Sequence, residues 1–567
     1  MDQTIIQSHV IGAGRVAVWA DLLDSINVFP VADGDTGRNM KVSLAPLRTL
    51  QEGTDRTVRR LMMNARGNSG NIAAQFFSGF LTATSEEELP HAARIGRDRA
   101  WQAVYNPKPG TMLTVLDALS DALSKKPKEY REIISVLENA VRSTPNLLPV
   151  LKDAGVVDAG ALGLYVYFEG FFKTLAGDTS ESRPVTEIFQ DQCALSKSFT
   201  AAGEEGYCVD LTIEADEHGE EMKHALTAMG ESVVVIPGDR FIKVHLHTND
   251  ANEVRRRLQS LGNIVQWADD NLEKQIREFA YADKLRPAIH VMTDAAGSIT
   301  RDDARKLGMT ILDSYVSVGD LSAPETCVDP AAVYAAMRRG IRATTSQASD
   351  YERTEILRAV TRRYGKVLYL CVGSAFSGIY DFASRWKSEH DSENLLTVID
   401  TGAASGRLGA AAIAVGRTSI AASSADEVIS FARQAIERCR EYIFIDNLSF
   451  LAAGGRISKT KAFFGNMLNM KPVVTPTAEG VVKAGVAKNI DDQIAFARAR
   501  LSEETAAGSS PLVLIQYTDN RDLVEKTIAP ALAEIRPHAE LIIQPLSLTT
   551  GVHVGPGTWS LAFLPEG

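Results

Sequence analysis

Over the first 175 residues apolar side chains return every three or four positions, as in Leu113 to Leu123 and Ile133 to Val141, and alternating runs are scarce. That spacing predicts amphipathic helices. Residues 176–205 are polar and carry Pro184, which predicts a linker. The period then changes. Val209 to Ile213, Ser232 to Ile236 and Phe241 to Leu246 read as strands, and Ala251 to Leu261 as a helix. This predicts a small α+β domain over 206–285, ending in a helical connector from Leu272 to Leu285. From Pro287 onward short apolar runs alternate with helical patterns: Ile289 to Met292, Val367 to Val372, Leu396 to Ile399, Tyr442 to Ile445, Pro511 to Gln516 and Leu541 to Ile543. Such alternation predicts an α/β unit over 286–567. The chain is thus expected to be multidomain, with segments 1–175, 176–205, 206–285 and 286–567.

Composition narrows the partners. The 567 residues are 45% hydrophobic and 23% charged, with a formal net charge of −11. No dense Lys/Arg run exists, and Arg255 to Arg257 lie close to Asp250 and Glu253, so nucleic acid is not an expected partner. Five scattered cysteines fit reduced thiols, and Met1-Asp2-Gln3 does not open a signal peptide. No run reaches the roughly 18–20 apolar residues of a membrane span. The Ala-rich stretch Thr401 to Ala425 carries Arg407 and Arg417 and reads as a packed helix. The expected location is cytoplasmic.

The densest chemistry lies in Asn27-Val28-Phe29-Pro30-Val31-Ala32-Asp33-Gly34-Asp35-Thr36-Gly37-Arg38-Asn39-Met40. Two carboxylates flanking one glycine repel unless they share a cation, and hard oxygen donors suit Mg²⁺. Alone, Asp-Gly-Asp equally fits a helix-capping turn. It is joined by Asn64-Ala65-Arg66-Gly67-Asn68-Ser69-Gly70-Asn71, entering an apolar helix, by Lys108-Pro109-Gly110-Thr111, and by Gly155-Val156-Val157-Asp158-Ala159-Gly160. Small residues entering helices offer backbone N–H groups to anions. Further on, His245 and His247 stand two apart on a predicted strand, hence on one face, and Cys208 begins the preceding strand. One Cys and two His suit Zn²⁺; the same pair also fits ordinary strand histidines. In the last part, small-hydroxyl loops recur at Thr344-Thr345-Ser346-Gln347, Gly373-Ser374-Ala375-Phe376-Ser377-Gly378 and Asp400-Thr401-Gly402, with Gly454-Gly455-Arg456 and Val552-His553-Val554 beyond. Hydroxyls, amides and a cation of this kind can hold a carboxylate in an α/β crevice.

The four loops of the first part, in this order, resemble the ATP-binding domain of the dihydroxyacetone kinase family, and more closely the kinase subunit of bacterial fatty acid kinase. The resemblance implies an all-α helical barrel clamping Mg-ATP. It implies Asp33 and Asp35 as catalytic metal ligands, Asn27 as a third metal candidate, and Asn39, Ser69, Gly70, Thr111 and Asp158 along the nucleotide. The Gly206-Tyr207-Cys208 strand with Val244-His245-Leu246-His247-Thr248-Asn249 is similar to that subunit's middle domain, which implies a metal site of Cys208, His245 and His247, with His224 as an extra candidate. Residues 286–567 resemble the DegV family, including Val291-Met292-Thr293-Asp294 and Asn469-Met470-Lys471-Pro472. That likeness implies two α/β subdomains around an acyl tunnel, with the carboxylate of a long-chain fatty acid at Thr345, Ser346 and Ser374, and with Arg456 and His553 binding it and acting in catalysis. The implied protein is a fusion of kinase and acyl carrier that makes acyl phosphate with ATP, Mg²⁺ and Zn²⁺. A homodimer and peripheral membrane contact for lipid exchange are the expected associations. A dihydroxyacetone-type kinase and a non-catalytic lipid-binding protein are the alternatives.

Overall fold

The computed structural model describes residues 1–125, 129–201, 205–214, 226–237, 241–282, 285–319, 321–453 and 470–565. These form two compact units: Met1–Lys284 together with Ser349–Ala359, and Leu285–Ala348 together with Val360–Gly567. Among the described residues no helix is long and apolar enough to cross a membrane.

The first unit opens with helices α1 (Gln3–Ser25), α2 (Thr36–Leu44), α3 (Thr54–Asn64), α4 (Gly67–Phe80), α5 (Leu89–Ala103), α6 (Met112–Ser124), α7 (Tyr130–Leu147), α8 (Pro149–Ala154), α9 (Ala159–Leu175) and α10 (Val185–Ile188). α9 is apolar on every side and buried from Ala159 to Phe172, so it is the helix the others surround. α1 lies against it at Gly12, where a Cβ would meet the Tyr167 carbonyl at 2.9 Å. Phe76, Phe77, Phe80, Phe168 and Phe171 interlock beside them, mostly edge-to-face. The carboxylate inside α9, Glu169, pairs with buried Arg15 of α1, whose guanidinium also reaches Glu355 at 3.5 Å. The stretch expected as a polar linker contains α10, and Val185, Ile188 and Phe189 are buried, with Phe189 edge-on to Tyr165.

The same unit contains an antiparallel sheet of order β2-β3-β1-β4, with β1 Tyr207–Glu214, β2 Glu231–Pro237, β3 Phe241–Thr248 and β4 Asn263–Asn271. Period-two alternation sorts its two faces. Val209, Leu211 and Ile213 pack with Val244, Leu246 and the Ala251–Gln259 helix residues Val254 and Leu258. Register puts Cys208 opposite His247, Asp210 opposite His245 and Thr212 opposite Lys243 on the other face. That face meets the first helices: Lys243 Nζ donates to the Met63 carbonyl, 3.1 Å, at the end of α3.

The second unit holds three sheets. A parallel one runs β11-β10-β5-β6, from β5 His290–Asp294, β6 Thr310–Leu312, β10 Val367–Cys371 and β11 Leu396–Asp400. A three-stranded antiparallel one joins β7 Tyr315–Val318 to β8 Leu321–Pro324 and β9 Ala343–Ser346. A six-stranded mixed sheet runs β14-β13-β12-β17-β15-β16, from β12 Arg440–Phe444, β13 Lys471–Thr477, β14 Gly480–Ala487, β15 Leu512–Tyr517, β16 Glu540–Pro545 and β17 Trp559–Leu564. In the parallel sheet β6 lies to one side of β5, and β10 and β11 to the other. The crevice beyond the carboxyl ends of β5 and β10 is therefore a switch point, where ligands bind in α/β sheets.

Candidate functional site

In the first unit a cavity of about 530 Å³ gathers the acidic turn, the glycine loops and the polar face of the sheet. Asp35 stands at the N-cap of α2, and Asp33 just before it. Both are buried. Burial first, then the Asp35 charge beside it, pushes the Asp33 carboxyl well above its usual range, while Arg38 pulls the other way. Two buried, mutually repelling carboxylates are a donor set that a hard divalent cation would relieve. The amide of Asn27 bridges this turn: Nδ2 donates to Asp33, and Oδ1 accepts from Thr36 Oγ1 at 2.7 Å.

Around these carboxylates lie helix N-termini. α4 starts at Gly67, in the left-handed region at φ 58°, where a Cβ would stand 2.2 Å from Asn39 Nδ2. Thr111 caps α6 and Asp158 caps α9, its carboxylate accepting from Ala161 N at 2.7 Å. Burial raises the Asp158 carboxyl to about 7, against the backbone amides that favour its charge. Ser69, Thr111 and Asp158 line the cavity. Asn39 and Gly70 sit beneath the loop, where a Cβ on Gly70 would meet Ser43 Oγ at 2.1 Å.

Cys208, His245 and His247 line the same cavity, and one donor atom from each lies within 4.8 Å of the others. His245 Nε2 is buried without a hydrogen-bond partner, while Nδ1 lies 3.3 Å from Asp210 Oδ1. An unsatisfied imidazole nitrogen beside a thiol and a second imidazole fits a borderline-soft metal ion. Burial, then the neighbouring His245 charge, lowers His247 to about 3, so it is a neutral imidazole with a lone pair to give. Asp210 is a participant that motif spacing does not single out. Burial alone would raise its carboxyl, but His245, Lys243 and Arg66 together hold it well below the usual range. Its signal in the sequence is its place two residues after Cys208, on the same strand face.

In the second unit a cavity of about 520 Å³ opens at the switch point. Asp294, at the end of β5, ties this edge together by accepting from Val372 N (2.6 Å) and Tyr369 Oη (2.5 Å). Thr345, Ser346, Ser377 and His553 supply polar groups, and Leu312, Phe376, Ile379, Ile443 and Val554 supply apolar wall. The volume is that of a small-molecule pocket. The Leu548–Val554 helix, which carries His553, is seated on Glu325: its Oε2 accepts from both N and Oγ1 of Thr549, at 2.6 and 2.5 Å.

Residues 30–173 match the DAK2 domain, 204–279 the FakA-like middle domain of fatty acid kinase, and 288–566 the uncharacterised DegV family. One chain carries all three domains. Among curated proteins it resembles an uncharacterised protein of Staphylococcus haemolyticus, 31% identical over 340 residues, or 54% of this chain and 62% of that one. A Staphylococcus saprophyticus relative, also uncharacterised, is 32% identical over 301 residues, 47% of this chain and 54% of that one. The chain thus spans little more than half the length of these relatives. Two solved structures resemble the DegV segment: a fatty-acid-binding DegV family protein of Thermus thermophilus (24% identity, TM-score 0.45, 49% of this chain and 99% of that one) and DegV of Bacillus subtilis, described as a fatty acid binding protein (21%, 0.45, 50% and 100%).

In the DAK2 and middle domains, Asp33, Asp35, Asn27, Ser69, Thr111, Asp158, Cys208, His245 and His247 come together around one cavity. In the DegV segment, Thr345, Ser346 and His553 share the second cavity. Ser374 stands apart from them: it is exposed and its backbone N–H donates to Asp400 Oδ1 at 3.1 Å, while Ser377, three residues further on, takes the lining position. Arg456, His224 and Asn469 lie outside the described residues.

Proposed function

We propose that the chain is a fatty acid kinase, which uses ATP to phosphorylate the carboxylate of a fatty acid held by its DegV segment. The observation that carries this reading is the single cavity in which Asp33 and Asp35 face the Gly67 loop, Thr111, Asp158 and the Cys208–His245–His247 set. The helical array is read as a barrel with the nucleotide at one end. Asp33 and Asp35 would hold Mg²⁺, which supplies charge neutralisation for the phosphates. Asn27 orients Asp33 through its amide. The Ser69 and Thr111 hydroxyls and the start of α4 receive phosphate oxygens. Cys208, His245 and His247 would hold Zn²⁺, with Asp210 orienting His245.

A carboxylate acceptor is ionised at neutral pH, so its attack on the γ-phosphate requires no strong base. The new P–O bond forms as the bond to ADP breaks, leaving acyl phosphate. The residues therefore act by positioning and by offsetting charge. Thr345, Ser346 and His553 meet the carboxylate, and the apolar wall around Phe376 and Ile443 takes the chain. Carrying both segments on one chain raises the effective concentration of acceptor at the kinase. A homodimer and transient membrane contact for lipid loading belong to the same reading. A dihydroxyacetone-type kinase fits less well, because residues 288–566 match the DegV family.

The deciding test is ATP-dependent acyl hydroxamate formation from a long-chain fatty acid, comparing wild type with Asp35→Ala. Product from wild type only supports the kinase. No product despite bound fatty acid and nucleotide leaves a lipid-binding protein.

A further inference from the structure

Asp210 stands between two parts of the nucleotide cavity. It follows Cys208 by two residues on β1 and faces His245 across the β1–β3 pair. One carboxylate oxygen lies 3.3 Å from His245 Nδ1. The other accepts the backbone N–H of Gly67, 3.1 Å away, the first residue of α4, and Asn71 Nδ2 approaches the carboxylate at 3.5 Å. A single buried side chain therefore holds a histidine of the Cys208–His245–His247 set and the first amide of the loop that carries Asn68 and Ser69 into the cavity.

Each bond has a chemical consequence. An Nδ1–H donated to Asp210 fixes the tautomer in which His245 Nε2 keeps its lone pair, and that nitrogen is buried without a hydrogen-bond partner. At the other end, a carboxylate at the start of a 14-residue helix competes with phosphate for the same positive helix terminus. A cation bound beside His245 makes its N–H a stronger donor and offsets the carboxylate charge, which releases that terminus for phosphate. Gly67 transmits the change because it has little freedom: its left-handed backbone lies directly on Asn39.

We propose that Asp210 is a positioning residue that couples the two sites, so that a divalent metal at Cys208, His245 and His247 tightens Mg-nucleotide binding at the Gly67 loop, and nucleotide tightens metal binding equally. The inference rests on the nucleotide and metal reading above. It concerns binding and not turnover, so the two can fail separately.

The test uses the full chain, stripped of metal and returned to excess Mg²⁺. Affinity for a non-hydrolysable fluorescent ATP analogue is measured with and without stoichiometric Co²⁺, whose thiolate absorption reports loading. Co²⁺ should tighten nucleotide binding at least about fivefold in wild type. Cys208→Ser should abolish that effect. Asp210→Asn should weaken Co²⁺ binding by about 10- to 100-fold, and at saturating Co²⁺ its nucleotide affinity should match that without Co²⁺. Equal wild-type affinities in the two conditions would overturn the proposal, as would a full effect in Asp210→Asn or in Cys208→Ser. If Asp210→Asn does not fold by circular dichroism, the wild-type and Cys208→Ser comparisons decide. Nucleotide that binds in neither condition overturns both this coupling and the kinase; coupling without acyl phosphate overturns the kinase alone.

Discussion

Replacing Glu325 by glutamine should remove a pH dependence that the fold of the DegV segment creates. Glu325 is buried, and its Oε2 takes two hydrogen bonds from Thr549 while Oε1 has no hydrogen-bond partner. Burial, with smaller contributions from Asp313 and Asp294 and against the Thr549 bonds, lifts its carboxyl from 4.5 to about 8. Tyr334, buried beside it, carries no charge in this range. Between those two values the folded chain keeps a proton that the unfolded chain has released, so stability is full below about 4.5 and falls as pH rises toward 8. At about 1.36 kcal/mol for each pH unit, that interval sets a ceiling of roughly 5 kcal/mol. Water entry and local relaxation on ionisation reduce it, so about 2–5 kcal/mol is expected. Glutamine keeps the acceptor and never ionises. Glu325→Gln should therefore match wild type at pH 5 and exceed it at pH 9, with the difference concentrated in the Leu548–Val554 helix that Glu325 seats. Urea midpoints across this range, with hydrogen exchange of the 547–554 peptide compared at each pH, measure both. Parallel pH curves for the two proteins would refute the reasoning.

Three further outcomes follow from the same structure. Glu169→Gln leaves the buried Arg15 guanidinium with Glu355 as its carboxylate partner at 3.5 Å, and should destabilise the first unit by about 3–5 kcal/mol in thermal unfolding. Phe168→Ala opens the aromatic cluster around α9, where Phe168 is fully buried, and should cost about 3–5 kcal/mol in the same measurement. Ser377→Ala should weaken binding of a long-chain fatty acid by roughly 2- to 12-fold, the worth of one hydrogen bond, whereas Ser374→Ala should leave it unchanged; titration with a fluorescent fatty acid separates the two.

What can be read from the chain alone follows from periodicity and from the order of motifs. Apolar spacing in 1–175 predicts helices, and the shift to short alternating runs after Val209 predicts strands. Strands that break the rule escape it. β4 is an edge strand whose Asp269, Asp270 and Asn271 face water, so its alternation is lost, and β17, Trp-Ser-Leu-Ala-Phe-Leu, follows a Gly-Pro-Gly turn that masks it although it pairs on both sides. α10 escapes because its four residues lie inside a polar stretch and are held by contacts distant in sequence, such as Phe189 with Tyr165. In the site, spacing names the ligand types but not which hydroxyl faces the crevice. Ser374 and Ser377 differ by less than one helical turn in sequence and by their side of the β10 loop in space. Asp210 gives no signal of its own because an aspartate in a strand has no motif; its meaning comes from register with His245 and from a backbone amide 143 residues earlier.

The alternation of β1 and β3 ties the chemistry of the middle domain to its stability in one reading frame. Cys208, Asp210, His245 and His247 occupy one parity of the two strands, and Val209, Leu211, Val244 and Leu246 the other. Insertion or loss of a single residue within either strand would exchange the two sets, turning ligands into the core and aliphatic side chains into the cavity. Point substitutions can tune this site gradually, but length changes inside the strand pair cannot, so natural variants should vary in loop length at its ends and hold strand length constant. The same property makes the pair of strands a portable cassette: moved as a unit onto another antiparallel sheet with an apolar partner layer, it would bring its donor face along without redesign.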